Sequence, residues 1–193
     1  MSSLFFGLKY LIGNLLSIFM EILNKKVMST ENLYNEEARK KLKDMAENID
    51  FAMMATNLNH MPLHMIPMST KKVDEDGNIW FLSNRNSNHN KHLNEDPHLH
   101  LIYANKADMQ FLNVYGIASI TTDKEIIKEL YGKSDDAWFE GEDDPNITAL
   151  SIKPTDAHYW DPKHNKLVAL VKMGVGAITG DEPDTMDFGK LKP

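Results

Sequence analysis

The chain contains 193 residues, of which 42% are hydrophobic and 25% are charged, and this size and composition predict one domain with a substantial core. The formal net charge of −7 provides no overall basic field for a nucleic-acid backbone, so no nucleic acid is expected as a partner. The sequence contains no cysteine, which excludes disulfides, thiolate nucleophiles and cysteine-zinc sites and agrees with a cytoplasmic location.

The first segment of the chain is unusually apolar. The segment 4–23 has the length of roughly 20 residues that crosses a bilayer, but Lys9, Asn14 and Glu21 interrupt it. No small-residue cleavage site follows, as a secretory signal would require. Three interpretations stay open: a helix lying on a membrane, a helix packed on its own domain, and an extension before a start at Met28. We therefore expect a helical, apolar extension over 1–28, a main domain over 29–180 and a tail over 181–193.

The main domain begins with a helix and three strands. Ser29 and Thr30 followed by an acidic residue predict a helix N-terminus, and apolar residues recur at helical spacing through Glu47. The Asp-Gly and Gly-Asn dipeptides within 73–78 predict a hairpin turn before the third strand. We expect the three strands to form a meander. Their expected bounds, set by turn residues on either side of short apolar runs, are 49–56, 63–72 and 79–83.

A polar turn follows the third strand and leads into a short helix predicted over 88–95. Pro97 disfavours continuation of that helix. A strand, a donor-rich turn and a helix start together suit an anion, because free backbone N–H groups and the positive end of the helix dipole point the same way. The alternative is an ordinary solvated connection at the surface, and the local residues leave both interpretations open.

The remaining elements are two long strands, a short helix, a loop and further terminal elements. The two long strands are expected to pair, with Gly116 marking a bulge or a close backbone approach. Asp123 is expected to cap the helix. Pro154 lies within the next predicted strand, which is therefore expected to be an edge strand or a bent one. The expected bounds are 99–105 and 109–121 for the long strands, 124–131 for the helix, 134–146 for an aromatic and acidic loop with a helical turn, 149–160 for the next strand, and 166–178 for a closing helix.

About six strands with short hairpins, and helices only at crossovers and ends, indicate a mainly β domain with added helices. An antiparallel barrel is the architecture that this pattern favours. A small closed barrel is filled by its own side chains. A ligand is therefore expected at the rim of the barrel or at a subunit interface.

Two segments of the sequence resemble the signatures of a known family. Residues 138–145 read WFEGEDDP and residues 157–160 read AHYW; both are similar to motifs of the general stress protein 26 group of the pyridoxamine 5'-phosphate oxidase-like FMN-binding split-barrel family. Segments 116–120 and 177–180 fit the same group. The resemblance implies a six-stranded antiparallel split β-barrel, a homodimer with FMN at the subunit interface, and flavin-dependent oxidoreductase activity.

The resemblance also assigns residues to the cofactor. The family's Arg-Pro-Met flavin strand falls on residues 66–68, with Ile66 in place of the arginine. The family's strand-end threonine falls on Ser83, its phosphate loop on residues 84–87, and its following lysine on His89. The cofactor-binding residues that it implies are Pro67, Met68, Ser69, Lys71, Ser83, Arg85, Ser87, Asn88, His89, Lys91 and Trp138.

The chemistry of these residue types agrees with that assignment. A phosphate monoester can accept neutral hydrogen bonds from Ser83, Ser87 and Asn88, while Arg85 offers a planar fork and Lys91 or Lys71 a point charge. A flavin ring needs a flat apolar bed, for which Met68, Trp80 and Trp138 are candidates. For Met68 and Trp80 the alternative is plain barrel packing.

The two departures at Ile66 and His89 leave a second interpretation open, a non-enzymatic flavin or small-ligand-binding stress protein with a degenerate phosphate site. A third interpretation is a membrane-associated protein held by residues 4–23. No side chain can be assigned as a catalytic acid or base from the sequence. The histidine pairs 89/92 and 98/100 lack a third ligand at a recognisable spacing, so no metal is expected.

Overall fold

The structure of the protein is a computed structural model that describes residues 30–162 and 186–193. The predicted helices over 4–23 and 166–178 lie outside these described residues. Within the two described ranges, no helix has both the length and the apolar character needed to cross a membrane. The fold below is therefore that of the compact unit formed by Thr30–Pro162 and Asp187–Pro193.

Strands dominate the described chain, and helices occur between them. This confirms the prediction of a mainly β domain with added helices. The strands are β1 (Leu33–Tyr34), β2 (Phe51–Thr56), β3 (His64–Ser69), β4 (Lys72–Val73), β5 (Ile79–Asn84), β6 (His98–Asn105), β7 (Gln110–Thr121), β8 (Ile147–Pro162) and β9 (Met186–Lys192), and the helices are α1 (Asn35–Ile49), α2 (Asn88–Glu95), α3 (Lys124–Leu130) and a 3₁₀ helix (Lys133–Ala137).

The strands of the described ranges form one sheet of nine rather than the six expected. Six of them follow one another in the row β3-β2-β6-β7-β8-β5, in which every neighbouring pair is antiparallel. Outside this row, β4 pairs with β5, and β1 pairs in parallel with β9, which makes the whole sheet mixed. Residues 186–192, which the sequence places in the tail, thus contribute a strand.

The predicted meander is confirmed in part, because β2 pairs with β3 and β4 pairs with β5, both antiparallel, but most of β5 pairs with β8 and not with β3. The predicted strand over 63–72 is divided at Thr70, whose backbone N–H donates to the Asp50 carbonyl at 2.7 Å. The chain then turns into β4, which forms the predicted hairpin with β5 across Gly77 at φ 83°. Gly77 suits this turn because glycine adopts positive φ without a steric penalty.

The predicted start of the first helix at Thr30 is also wrong, since α1 begins at Asn35. The preceding residues are taken up by the sheet: Glu31 donates its backbone N–H to the Phe188 carbonyl at 2.9 Å, and Leu33 is paired with Leu191. Pairing with a distant strand therefore overrides the local capping signal. The apolar side of α1 is buried on the sheet as its spacing predicts.

The β7–β8 ladder explains the predicted bulge. A shift in register lies between Tyr115 and Gly116, and Gly116 faces Pro154. A Cβ atom on Gly116 would lie 2.8 Å from the Lys153 carbonyl oxygen, so this position requires glycine. The bulge is confirmed. Of the two alternatives predicted for the strand that contains Pro154, the edge strand is wrong, because β8 lies inside the sheet between other strands, whereas the irregular ladder agrees with a bent strand. Pro154 is tolerated there because the ladder is already irregular beside it.

Candidate functional site

A cavity of about 490 Å³ lies among β3, the end of β5, the start of α2 and the 3₁₀ helix. Its volume falls within the roughly 300–1,000 Å³ typical of small-molecule and cofactor sites. Apolar side chains dominate the lining, and a few polar groups interrupt them. The lining residues are Phe51, Ile66, Pro67, Met68, Ser69, Lys71, Leu82, Ser83, Asn84, His89, Ser134, Asp135, Trp138 and Phe139.

The cavity brings together seven of the eleven residues implied as cofactor-binding by the resemblance. They come from three separate parts of the chain and are Pro67, Met68, Ser69, Lys71, Ser83, His89 and Trp138. The other four do not line the cavity. Arg85, Asn88 and Lys91 are exposed on the turn and first residues of α2, and Ser87 is half-buried beside them.

Trp138 lies at the rim of the cavity, where 81% of its surface is exposed. It follows the 3₁₀ helix, and its backbone N–H donates to the Asp135 carbonyl at 2.9 Å. An exposed indole beside an apolar cavity is placed to cover a planar ligand. Trp80, the other candidate tryptophan, packs against a small core cluster and donates Nε1–H to Asp74 at 2.8 Å. Trp80 therefore contributes to core packing, which was the alternative to a place in the flavin bed.

A buried polar network fixes α2 to the sheet beneath the cavity. The Ser83 hydroxyl donates to Asn90 Oδ1 at 2.9 Å, and Asn90 Nδ2 donates to Thr148 Oγ1 at 2.8 Å. The Thr148 hydroxyl in turn donates to the Ser83 carbonyl at 3.1 Å. All three side chains are buried. Buried polar groups are expensive to leave unpaired, so this closed network stabilises one position of α2 on β5 and β8.

His89 connects this network to the cavity. Its Nε2 atom lies within hydrogen-bond distance of Ser83 Oγ and 3.1 Å from Ser87 Oγ. Because the single Ser83 hydroxyl proton is donated to Asn90, Nε2 of His89 must carry the proton in the contact with Ser83. Burial, and after it the electrostatic influence of His64 and His92, lowers the pKa of His89 to about 4. His89 is thus neutral at pH 7 and supplies no charge to an anion.

Lys71 has an internal partner. Its Nζ atom lies 2.7 Å from Asp135 Oδ2, and the two side chains are only 14% and 12% exposed. The same Asp135 oxygen accepts the backbone N–H of Gly132 at 2.8 Å. Asp135 lies in the aromatic and acidic loop predicted over 134–146, but no motif in the sequence distinguishes it from the other acidic residues there. Among the described residues that line the cavity, Lys71 alone carries an ammonium or guanidinium group. Its positive charge is therefore balanced by Asp135.

The predicted donor-rich turn before α2 uses part of its donors internally. Ser87 caps the helix, since its hydroxyl oxygen accepts the Asn90 backbone N–H at 3.2 Å. The backbone N–H groups of Asn86 and Ser87 donate to the side chain and the carbonyl of Asn84, at 2.8 and 3.0 Å. The charged groups that the turn offers to solvent are those of Arg85 and Lys91, which are exposed.

The fold and the cavity together define a mainly β protein with a ligand-sized pocket between the sheet and short helices. The chain belongs to the pyridoxamine 5'-phosphate oxidase like family, whose sequence model matches residues 37–184. It is 26% identical over 148 residues to protein bli-3 of Neurospora crassa, a match that covers 71% of this chain and 70% of that protein. The resemblance to this family stated from the motifs is confirmed.

Two solved structures show the same fold. A general stress protein 26 from Jannaschia sp. CCS1 matches with a TM-score of 0.70 at 20% identity, over 81% of this chain and 99% of that one. The general stress FMN/FAD binding protein from Xanthomonas citri matches with a TM-score of 0.56 at 22% identity, over 66% of this chain and 90% of that one. At these identities the two structures support the architecture of the chain.

Proposed function

We propose that this protein binds a flavin, FMN in particular, in the 490 Å³ cavity. One observation carries the proposal. Seven residues that the resemblance implies bind the cofactor come from three separate parts of the chain and line this one cavity. The Xanthomonas citri neighbour, described as FMN/FAD binding, supports the ligand class. We also propose that the six-stranded antiparallel row is the split barrel of this family, and that the protein is cytoplasmic.

The residues present fit the ring of a flavin better than its phosphate. Met68, Leu82 and Phe139 offer apolar walls, and Trp138 is available to cover the ring. A flavin ring is planar and largely apolar, and aromatic or sulfur-bearing side chains are suited to contact its faces. The phosphate would lie toward the α2 turn, where Arg85 supplies a guanidinium outside the lining.

Bound FMN would supply the redox chemistry of a flavin-dependent oxidoreductase, which is the activity we propose. The chain itself contributes binding, orientation and the exclusion of water by its apolar walls. Its lining offers few groups for proton transfer, because Lys71 is paired with Asp135 and the low pKa of His89, about 4, makes it a weak base at neutral pH. The same observation favours a second candidate function, a flavin-binding stress protein without turnover.

We further propose a homodimer in which a second copy covers the outer face of the β3-β2-β6-β7 region. The residue pairs Met53–Ile102 and Met53–Pro67 lie side by side on this face, and Met53 and Ile102 are 40% and 42% exposed. Neighbouring exposed apolar side chains on one sheet face are suited to packing against a second copy. Pro67 also lines the cavity, so a second copy on this face would complete the flavin site.

The dimer proposal predicts that Ile102→Glu gives a monomer that binds FMN much more weakly than the wild type. The reason is that a charged side chain placed at the centre of an apolar interface is desolvated without a partner. Light scattering coupled to size-exclusion chromatography measures the mass. Lys40→Glu, on the exposed side of α1, serves as a matched control. A dimeric Ile102→Glu variant with wild-type FMN affinity would remove this face from consideration.

A flavin-release assay tests the proposed function directly. We expect purified protein, incubated with FMN and desalted, to release on denaturation a yellow compound that comigrates with FMN. Protein that stays colourless and takes up no added FMN would contradict the proposal. Reduction of the bound flavin by a nicotinamide nucleotide would favour the oxidoreductase over the flavin-binding protein without turnover.

A further inference from the structure

We infer that Asp135 is a specificity-determining residue of the cavity, which lowers its preference for a phosphorylated flavin by holding Lys71 in an internal ion pair. This inference rests on the proposed function and adds to it a residue that selects between ligands of different charge. The chemical choice in question is between a neutral flavin, such as riboflavin, and its anionic phosphate ester, FMN.

The geometry of the pair supports this role. Lys71 Nζ and Asp135 Oδ2 are 2.7 Å apart in a part of the cavity where both side chains are nearly inaccessible to solvent. The Gly132 backbone N–H, 2.8 Å from the same oxygen, holds the carboxylate in place. A carboxylate that is fixed by its own loop and bonded to the lysine leaves that ammonium group little freedom to approach a ligand.

The charges of the lining residues cancel. Lys71 contributes +1 and Asp135 contributes −1, while His89 is neutral because of its low pKa. The cavity therefore has no net charge with which to attract a phosphate. Removing the carboxylate would leave an unpaired ammonium group inside an apolar cavity, where the field of a charge is screened less than in bulk water.

The size of the effect follows from Coulomb's law. A unit charge acting on a phosphate about 10 Å away at an effective dielectric constant of about 20 changes its affinity about tenfold or more. A neutral flavin feels this charge only through its dipoles. The ratio of the dissociation constants of riboflavin and FMN therefore reports the charge of the cavity, whereas a general loosening of the loop changes both constants together.

The experiment is a charge cycle at the two positions. The proteins are the wild type, Asp135→Asn, Lys71→Met and the double variant, and the dissociation constants for riboflavin and FMN are measured by flavin fluorescence at low ionic strength. Asp135→Asn retains an oxygen for the Gly132 N–H and is expected to raise the preference for FMN about tenfold. Lys71→Met is expected to lower it, and the double variant, again neutral, to return it to within about threefold of the wild type.

The outcomes separate the inference from the proposed function. Binding of both flavins with a ratio that is unchanged in Asp135→Asn would overturn the inference alone. A double variant that resembles Asp135→Asn rather than the wild type would also overturn it, because charge would then not be the cause. Failure of the wild type to bind either flavin would overturn the proposed function, and the inference with it.

Discussion

The two sides of the α2 turn carry polar side chains that serve different purposes. On the inner side, Ser83, Asn90 and Thr148 are buried and bond to one another. On the outer side, Arg85 and Lys91 are exposed to solvent. From the sequence, this turn was either an anion site or a solvated connection, and the resemblance implied that Ser83, Arg85 and Lys91 all bind the cofactor. The structure indicates instead that the inner groups stabilise the fold, and that the outer groups are the ones free to meet a ligand.

A polar side chain near the cavity has two competing uses, bonding within the fold and bonding to a ligand. Ser83 lines the cavity, yet its hydroxyl proton is already donated to Asn90. A group bonded in this way can still accept a hydrogen bond, but donating to a ligand would require it to break a buried bond. Ser83 is therefore a poor donor for a phosphate, even though it is well placed.

The largest effect should come from the inner side. Asn90→Ala removes both bonds of a buried amide and leaves Ser83 and Thr148 without those partners. We expect the free energy of unfolding to fall by about 2–3 kcal/mol, because the two partners would stay buried without the hydrogen bonds that compensate for their removal from water. Urea unfolding followed by circular dichroism measures this change.

Asn94→Ala is the matched control, since Asn94 is exposed on the same helix. A surface substitution of this kind should change the free energy of unfolding by no more than about 0.5 kcal/mol. If the Asn90 and Asn94 variants were equally stable, the buried network on the inner side would not stabilise the fold, contrary to this prediction.

Local signals in the sequence predicted several elements of this region correctly. The expected helix over 88–95 is α2, and its end before Pro97 was predictable because a proline restricts the residues next to it. The hairpin turn at Gly77 and the bulge at Gly116 were likewise predicted from residues with restricted or permissive backbones.

Features that join distant segments were missed. Lys71 and Asp135 lie 64 positions apart, and only the folded sheet brings the 3₁₀ helix beside the end of β3. The same holds for β9, whose parallel pairing with β1 displaces the predicted helix start at Thr30. Neither contact is associated with a periodic pattern or a turn dipeptide in the sequence, so neither could be predicted from neighbouring residues.

The outer side gives the second prediction. Arg85→Ala is expected to weaken FMN binding about tenfold while leaving riboflavin binding unchanged, because a guanidinium forms charge-assisted bonds to phosphate. His89→Ala should weaken FMN binding less, since its pKa of about 4 keeps it uncharged at neutral pH. Fluorescence titration gives both constants, and equal FMN affinities across the three proteins would show that the phosphate lies elsewhere.

His89 lies between the two sides, and its titration gives the smallest effect. Its pKa is about 4 in the folded protein and near 6.5 in an unfolded chain. Between these values the unfolded state binds more protons, so the free energy of unfolding decreases as the pH falls from about 6.5 to about 4. After allowance for residual solvent exposure, we expect this loss to be about 1 kcal/mol at pH 5 relative to pH 7.

Comparison with His89→Gln isolates this contribution, because a glutamine can bond to Ser83 or Ser87 but does not titrate. The pKa of His100 is also lowered, by burial, so both proteins should lose some stability in acid, and the wild type should lose more. Urea unfolding from pH 7 to pH 5 measures the difference between the two slopes. Parallel slopes would mean that His89 is solvated in the folded protein, and that it belongs with Arg85 and Lys91 on the outer side of the turn.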